Sequence, residues 1–214
     1  NVSHELRTPL TLVLGPVDRL LESGQLADGE RQAVQVIQRN ARLLHRQVDN
    51  LLDIAKLEAG RMLVHYSETD LAELLRLLAS HFESVAADRR IRFELDIPAT
   101  LPTQVDEEKL QRIVLNLLAN AFNFVADGGR VAVALEIVGD TVAIRVCDNG
   151  PGVPEALREA IFERFRQVED GAGRRFGSTG LGLAIVREFV LLHGGEVSVG
   201  EAAGGGAEFV VVLP

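Results

Sequence analysis

Thr141–Gly152 reads TVAIRVCDNGPG, an apolar run that stops at a carboxylate and breaks into a turn of Asn149, Gly150, Pro151 and Gly152. The run is a strand, Thr141–Cys147, and Gly139-Asp140 before it is a hairpin signal that pairs it with a strand over Arg130–Val138. Downstream, the charged and glycine-rich stretch Glu163–Thr179 has no periodicity. The pattern resumes as a helix over Leu181–His193, stopped by Gly194-Gly195. Glu196–Val199 and Ala207–Leu213 then form a second hairpin. Upstream, Asp106 is a good N-cap for a helix running to about Val125. Before it, Ile91–Ile97 alternates as a strand, Pro98 and Pro102 bound a loop, Asp70–Ala87 is one helix and Arg61–Tyr66 a short strand. The pattern predicts an α+β sandwich over residues 61–214, a mixed sheet covered by helices.

Residues 1–60 read differently. Leu6, Leu10, Val13, Leu14, Val17, Leu20 and Leu21 recur at helical spacing. Ser23-Gly24 and Asp28-Gly29 mark a turn. A second helix carries Val34, Ile37, Ala41, Leu44, Val48, Leu51 and Ala55, a heptad seam ending before Gly60. Two helices cannot bury all this apolar surface between themselves, so a second copy completing a four-helix bundle is expected. Asn1 opens almost on the first motif with no helix start before it, which reads as a fragment whose first helix is cut short.

The net charge of −9 argues against nucleic-acid binding. No apolar stretch reaches the length of a membrane span. The single cysteine, Cys147, excludes an internal disulfide, fits a reducing compartment and is expected in the core. His45, His65, His81 and His193 have no companion ligands at metal spacing, and His193 at a helix C-terminus is accounted for by the dipole there.

Two segments carry chemistry. His4, in SHELRTPL at Ser3–Leu10, lies about 140° from the centre of the apolar stripe at ~100° per residue, so it faces solvent. Thr8, Thr11, Leu12, Gly15 and Arg19 share that side. Its imidazole is a nucleophile near neutrality, and Glu5 beside it can take a proton. Leu12 is an apolar contact on the reactive face. On the other segment, Asn116 and Asn120 stand on one face of a helix, inside IVLNLLANAF, where amide oxygens can ligate a hard cation such as Mg²⁺. Asp148 at a strand end can accept from an adenine amino group, and Gly150 and Gly152 let the backbone approach the ring. Gly177, Gly180 and Gly182 open the Leu181 helix, whose amides suit phosphates.

SHELRTPL resembles the phosphoacceptor box of dimerising sensor histidine kinases, and the rest of the chain resembles their ATP-binding domain and the broader group including gyrase, the Hsp90 chaperones and MutL. The resemblance implies a dimerisation and phosphotransfer domain at 1–60 and a catalytic ATP-binding domain at 61–214. It implies autophosphorylation of His4 from Mg²⁺-ATP with Glu5 as acid/base, then transfer to an aspartate of a response-regulator receiver domain. Thr8 would orient water in the reverse, phosphatase direction. Asn116 and Asn120 would hold the metal, and Asp148, Gly150, Gly152, Gly177, Gly180, Leu181 and Gly182 the nucleotide. IFERFRQVED resembles the family's phenylalanine box, with Phe162 and Phe165 anchoring a mobile lid and Arg164 reaching the γ-phosphate. Arg174 and Arg175 add charge to that lid but read as solvated. One position departs: Asn123 stands where members commonly carry a basic residue near the phosphates, which lowers phosphate affinity or turnover. The fragment would make no membrane contact itself and would be the cytoplasmic portion of a sensor that can be membrane-anchored. The rivals are a nucleotide-binding scaffold that modulates another kinase, a gyrase- or chaperone-like clamp ATPase, and a serine/threonine kinase on the same scaffold.

Overall fold

In a computed structural model of the chain, residues 2–166 and 180–214 are described, with side chains from Thr8 onward. They form two compact units, one drawn from residues up to Met62 and the other from Leu63 onward.

The first unit is a helical hairpin of α1 (Val2–Glu22) and α2 (Asp28–Glu58). Pro9 and Pro16 both lie inside α1, which continues through them. Gly24 turns the chain at φ +68°, and the Ala27 N–H donates to Glu30 Oε2 at 3.1 Å to start α2. Asp18 pins the register by accepting from Gln38 Nε2 at 2.5 Å and Arg42 Nη2 at 3.1 Å. Gly60 ends α2 as expected, in the left-handed region that favours glycine. Its N–H donates to Leu57 and that of Arg61 to Lys56, a Schellman pair. The hairpin buries Val17, Ala41 and Ile54, yet Ile37, Leu44 and Leu51 remain about half exposed at seven-residue steps. Val13 and Leu20 do the same on α1.

The second unit is the expected mixed sheet under helices. Its five strands are β2 (Arg92–Asp96), β4 (Arg130–Val138), β5 (Thr141–Asp148), β6 (Glu196–Glu201) and β7 (Ala207–Leu213), in the order β2-β4-β5-β7-β6. Only β2 and β4 run parallel. Gly139 makes the β4–β5 turn at φ +62°, setting Val138 opposite Thr141. On one face Val131, Val133, Val142, Ile144, Val146, Phe209, Val211 and Leu213 are buried. Against them pack α5 (Glu107–Phe124) and α6 (Gly182–Leu192), each fully buried Leu, Ile, Val or Phe contributing about 1.5–3 kcal/mol.

Three local expectations are corrected. Residues 61–66 are not a strand: the His65 N–H is taken by Asp106 Oδ2 at 2.8 Å. The strand begins later, as β1 (Ser67–Asp70), and pairs antiparallel with β3 (Pro102–Val105), a strand just after the expected loop, where the sequence pattern predicts no element. Pro102 is the first residue of β3, a position where its missing N–H costs no central ladder bond. The helix expected over 70–87 is two, α3 (Leu71–Ser80) and α4 (Glu83–Asp88), because Phe82 leaves the helix and stacks on Phe122 with ring centroids 5.0 Å apart. Cys147 is half-buried rather than in the core, on the sheet face opposite the helices. Its thiol points at Glu208, and burial together with that carboxylate pushes it up to about 11. Among the described residues no helix is long and apolar enough to cross a membrane.

Candidate functional site

The Asp106 carboxylate starts α5 by accepting the Lys109 N–H at 3.1 Å, and that start fixes which face carries the asparagines. Asn116 and Asn120 are both half-buried. Asn116 donates its Nδ2 to the Arg112 carbonyl at 2.8 Å, which leaves Oδ1 as an acceptor. That oxygen faces the first turn of α6: a Cβ on Gly182 would stand 3.0 Å from it. A side chain at Gly182 would therefore require the Asn116 amide to give way by a few tenths of an ångström. Asn123, one turn further along, is exposed.

Alpha-6 begins at Leu181, 2% exposed, which offers no side-chain cap, and no acidic residue sits in the first turn. Its leading N–H groups therefore present unneutralised partial positive charge, the arrangement that suits a phosphate. Gly180 precedes it at φ +68°; a Cβ there would lie 2.7 Å from the Arg166 carbonyl. The Phe165 N–H donates to the Gly180 carbonyl at 2.9 Å, and Phe165 itself sits at φ +62° with its ring exposed. Phe162 is buried, edge-on to Phe209 at 6.3 Å. The Arg164 guanidinium is held by Glu188 of α6 at 3.3 Å. Gly177, Arg174, Arg175 and most of the expected lid lie outside the described residues.

Asp148 ends β5 on the buried face at 6% exposure, and its Oδ1 accepts the Gly150 N–H at 2.8 Å. A Cβ on Gly150 would meet that same oxygen at 2.8 Å, and one on Gly152, at φ +74°, the Gly206 carbonyl at 3.0 Å. Burial raises the carboxyl above the ordinary range against the pull of the Gly150 and Ala207 N–H groups. A carboxyl raised in the folded state costs stability when ionised, and that cost fades as pH falls through its raised value toward the unfolded one. Asp148→Asn should therefore leave the ligand-free chain at least as stable as wild type at neutral pH, with the difference shrinking on acidification. On the adenine-binding role that the resemblance implies for Asp148, nucleotide affinity should also drop by ~10-fold or more, the loss of a hydrogen bond to a charged acceptor. Thermal unfolding at two pH values with calorimetric titration checks both; a variant melting lower at neutral pH contradicts the burial argument.

On the hairpin, His4 and Glu5 belong to α1, and their side chains lie outside the description. Thr8, Thr11 and Arg19 are exposed and Leu12 is 69% exposed, as expected for that face, while Gly15 is partly covered.

Residues 105–214, just over half of the chain, match the family of histidine kinase-, DNA gyrase B- and HSP90-like ATPases, and residues 1–60 match the His Kinase A (phospho-acceptor) domain. This chain belongs to the histidine kinase family. The chain is 45% identical over 220 residues to hybrid signal transduction histidine kinase D of Dictyostelium discoideum, a match covering all of this chain and 14% of that protein. It thus spans a small part of such relatives. Full-length ShkA in complex with AMPPNP matches with a TM-score of 0.79 at 35% identity, covering 100% of this chain and 44% of that one. ThkA in complex with the response regulator protein TrrA matches at 0.68 and 26% identity, covering 100% and 59%. The histidine kinase fold also exposes two residues that local reading missed. Gly206 presses on Asp148, signalled only by the Gly204–Gly206 triplet, and His193 is buried and hydrogen-bonded rather than merely facing a helix dipole.

Proposed function

We propose that this chain is the catalytic core of a sensor histidine kinase, a protein-histidine phosphotransferase that transfers the γ-phosphoryl group of ATP to His4. The observation that carries the reading is the convergence of Asn116 Oδ1 on the uncapped first turn of α6, in the same α+β unit whose buried Asp148 suits one hydrogen bond from a purine. Asp148, with Gly150 and Gly152 at its turn, takes the adenine. Gly177, Gly180, Leu181 and Gly182 take the phosphates, and Phe162 anchors the loop beside them. Asn116 and Asn120 hold Mg²⁺, whose chemistry when bound is to neutralise charge on the phosphates. Asn123 donates a hydrogen bond there without adding charge. Arg164 exchanges Glu188 for the γ-phosphate.

A ring nitrogen of His4 attacks the γ-phosphorus as the bond to the β–γ bridging oxygen breaks, ADP departs, and Glu5 takes the imidazole proton. Phosphohistidine then passes its phosphoryl group to an aspartate of a receiver domain seated on the exposed Leu12 face; the similar ThkA, solved in complex with a response regulator protein, supports a partner of that kind. Thr8 orients water when the regulator is dephosphorylated. The half-exposed stripe of Val13, Leu20, Ile37, Leu44 and Leu51 is covered by a second copy in a four-helix bundle. Residues 1–60 thus serve dimerisation and phosphotransfer and 61–214 catalysis, on the cytoplasmic side of a sensor.

Incubation with Mg²⁺ and γ-labelled ATP tests this. Retained label that is acid-labile and alkali-stable is expected. Nucleotide binding without such label, on this chain and on one extended before Asn1 to complete the dimer, would overturn the kinase reading in favour of a scaffold.

A further inference from the structure

We propose that His193 is a positioning residue for the nucleotide site, splicing the capped start of α5 to the end of α6 and so setting the gap in which Asn116 meets Gly182. The inference rests on the reading of α5 and α6 as walls of that site. His193 is 3% exposed and uses both ring nitrogens. Its Nε2 lies 3.1 Å from the Asp106 main-chain nitrogen and its Nδ1 2.7 Å from the Phe189 carbonyl. A main-chain N–H can only donate and a carbonyl can only accept, so Nδ1 carries the hydrogen and Nε2 presents its lone pair.

Asp106 is the other half of the splice. Its carboxylate accepts the Lys109 N–H, the Lys109 ammonium at 2.5 Å and the His65 N–H at 2.8 Å; Asp106 and Lys109 are buried, while His65 reaches in from the surface. The Tyr66 ring stands edge-on to His193 at 5.7 Å. Residues 65–66, α5 and α6 are therefore tied at one point.

The geometry makes that point a ruler. From Asp106 to Asn116 is ten residues and from His193 back to Gly182 eleven, so the two helices rise about 15 and 16.5 Å from the splice to the site. Between them the Arg112 guanidinium lies over the Phe189 ring at 5.3 Å. Three rungs result: Asp106 with His193, Arg112 with Phe189, and Asn116 with Gly182. Helices do not compress along their axes, so sliding at the first rung reappears at the third, where only a hydrogen stands between the Gly182 backbone and the Asn116 oxygen. Neither His193 nor Asp106 touches nucleotide; both act through the helices.

Two variants and one spectrum test this. His193→Leu fills similar space but leaves the Asp106 N–H without an acceptor; His193→Gln restores one. The unmet Asp106 N–H should lower the stability of the Leu variant, and the displaced Asn116–Gly182 rung should weaken its ATP binding about ten-fold. Its phosphorylation rate at saturating ATP should stay near wild type, so the loss falls in KM rather than kcat. The Gln variant should recover most of the affinity. Nitrogen-15 spectra of the wild-type imidazole should show Nε2 unprotonated and coupled to the Asp106 N–H. A Leu variant binding like wild type, a Gln variant as weak as Leu, or a hydrogen on Nε2 would each overturn the inference. If the Leu variant fails to fold, the Gln variant and the spectrum decide. Wild-type chain that binds no ATP would sink the nucleotide-site reading itself, and an intact splice in the same spectrum would show which of the two had failed.

Discussion

His4→Gln will lose acid-labile phosphate entirely, a fall of at least ~100-fold, while ATP affinity stays within about two-fold of wild type. The carboxamide nitrogen of glutamine has its lone pair delocalised and cannot attack phosphorus, whereas the helix propensity of glutamine keeps α1 intact. The described residues proposed to hold the nucleotide belong to the other compact unit, so the substitution does not touch them. Retained label after acid and alkali treatment, with calorimetric titration of ATP, measures both. Persisting acid-labile label would move the acceptor elsewhere, and the structure says where to look. His193 is buried with both nitrogens engaged, which leaves the exposed His65 and His81 and also His45, whose Nδ1 alone is held by Asp49 at 3.0 Å.

The parts of the fold legible in the sequence are those set by neighbours along the chain. Asp106 caps α5, Gly60 and Gly194 stop their helices, and Gly139 turns a hairpin, since each acts within a few residues. What was not legible depends on partners far away. Phe82 breaks a helix because Phe122, forty positions on, offers a ring to stack against. His65 forgoes a ladder bond because Asp106 is near, and β3 exists because β1 lies beside it. Periodicity carries no record of such contacts.

The site divides along the same line. Asn116 and Asn120 share a face by helical spacing alone, and Asp148 stands out as a carboxylate at the end of an apolar strand. That Asn116 Oδ1 faces Gly182, or that Glu188 holds Arg164, follows only from the packing of α5, α6 and the Phe162 turn. The sequence likewise marks His193 as a helix-end histidine, a position compatible with a charged ring at the dipole. The ring instead accepts a main-chain N–H from a residue 87 positions away.

Gly206→Ala should cost the ATP-binding unit about 3–5 kcal/mol and weaken ATP binding by ~10-fold or more, combining backbone strain with overpacking. Gly206 lies at φ +98°, outside what L-residues adopt comfortably, and a Cβ there would fall 2.0 Å from the Asp148 carbonyl and 2.7 Å from Asn149 Cα. Both are backbone, so no side chain can rotate aside. Relief requires the β6–β7 turn to move off the strand end or Asp148 to move off its own position. The Gly206 carbonyl also lies 3.0 Å from where a Gly152 Cβ would stand, so the disturbance reaches both ends of the Asp148–Gly152 turn. Gly204→Ala separates the two contributions: it shares the loop and a φ of +96°, but nothing lies within 4 Å of its Cβ. It should lose only the strain, about 1–2 kcal/mol, and bind ATP normally. Denaturant unfolding and ATP titration of both variants decide the matter. Equal losses in the two would mean that the contact with Asp148 contributes nothing, and that the glycine is there for the turn alone.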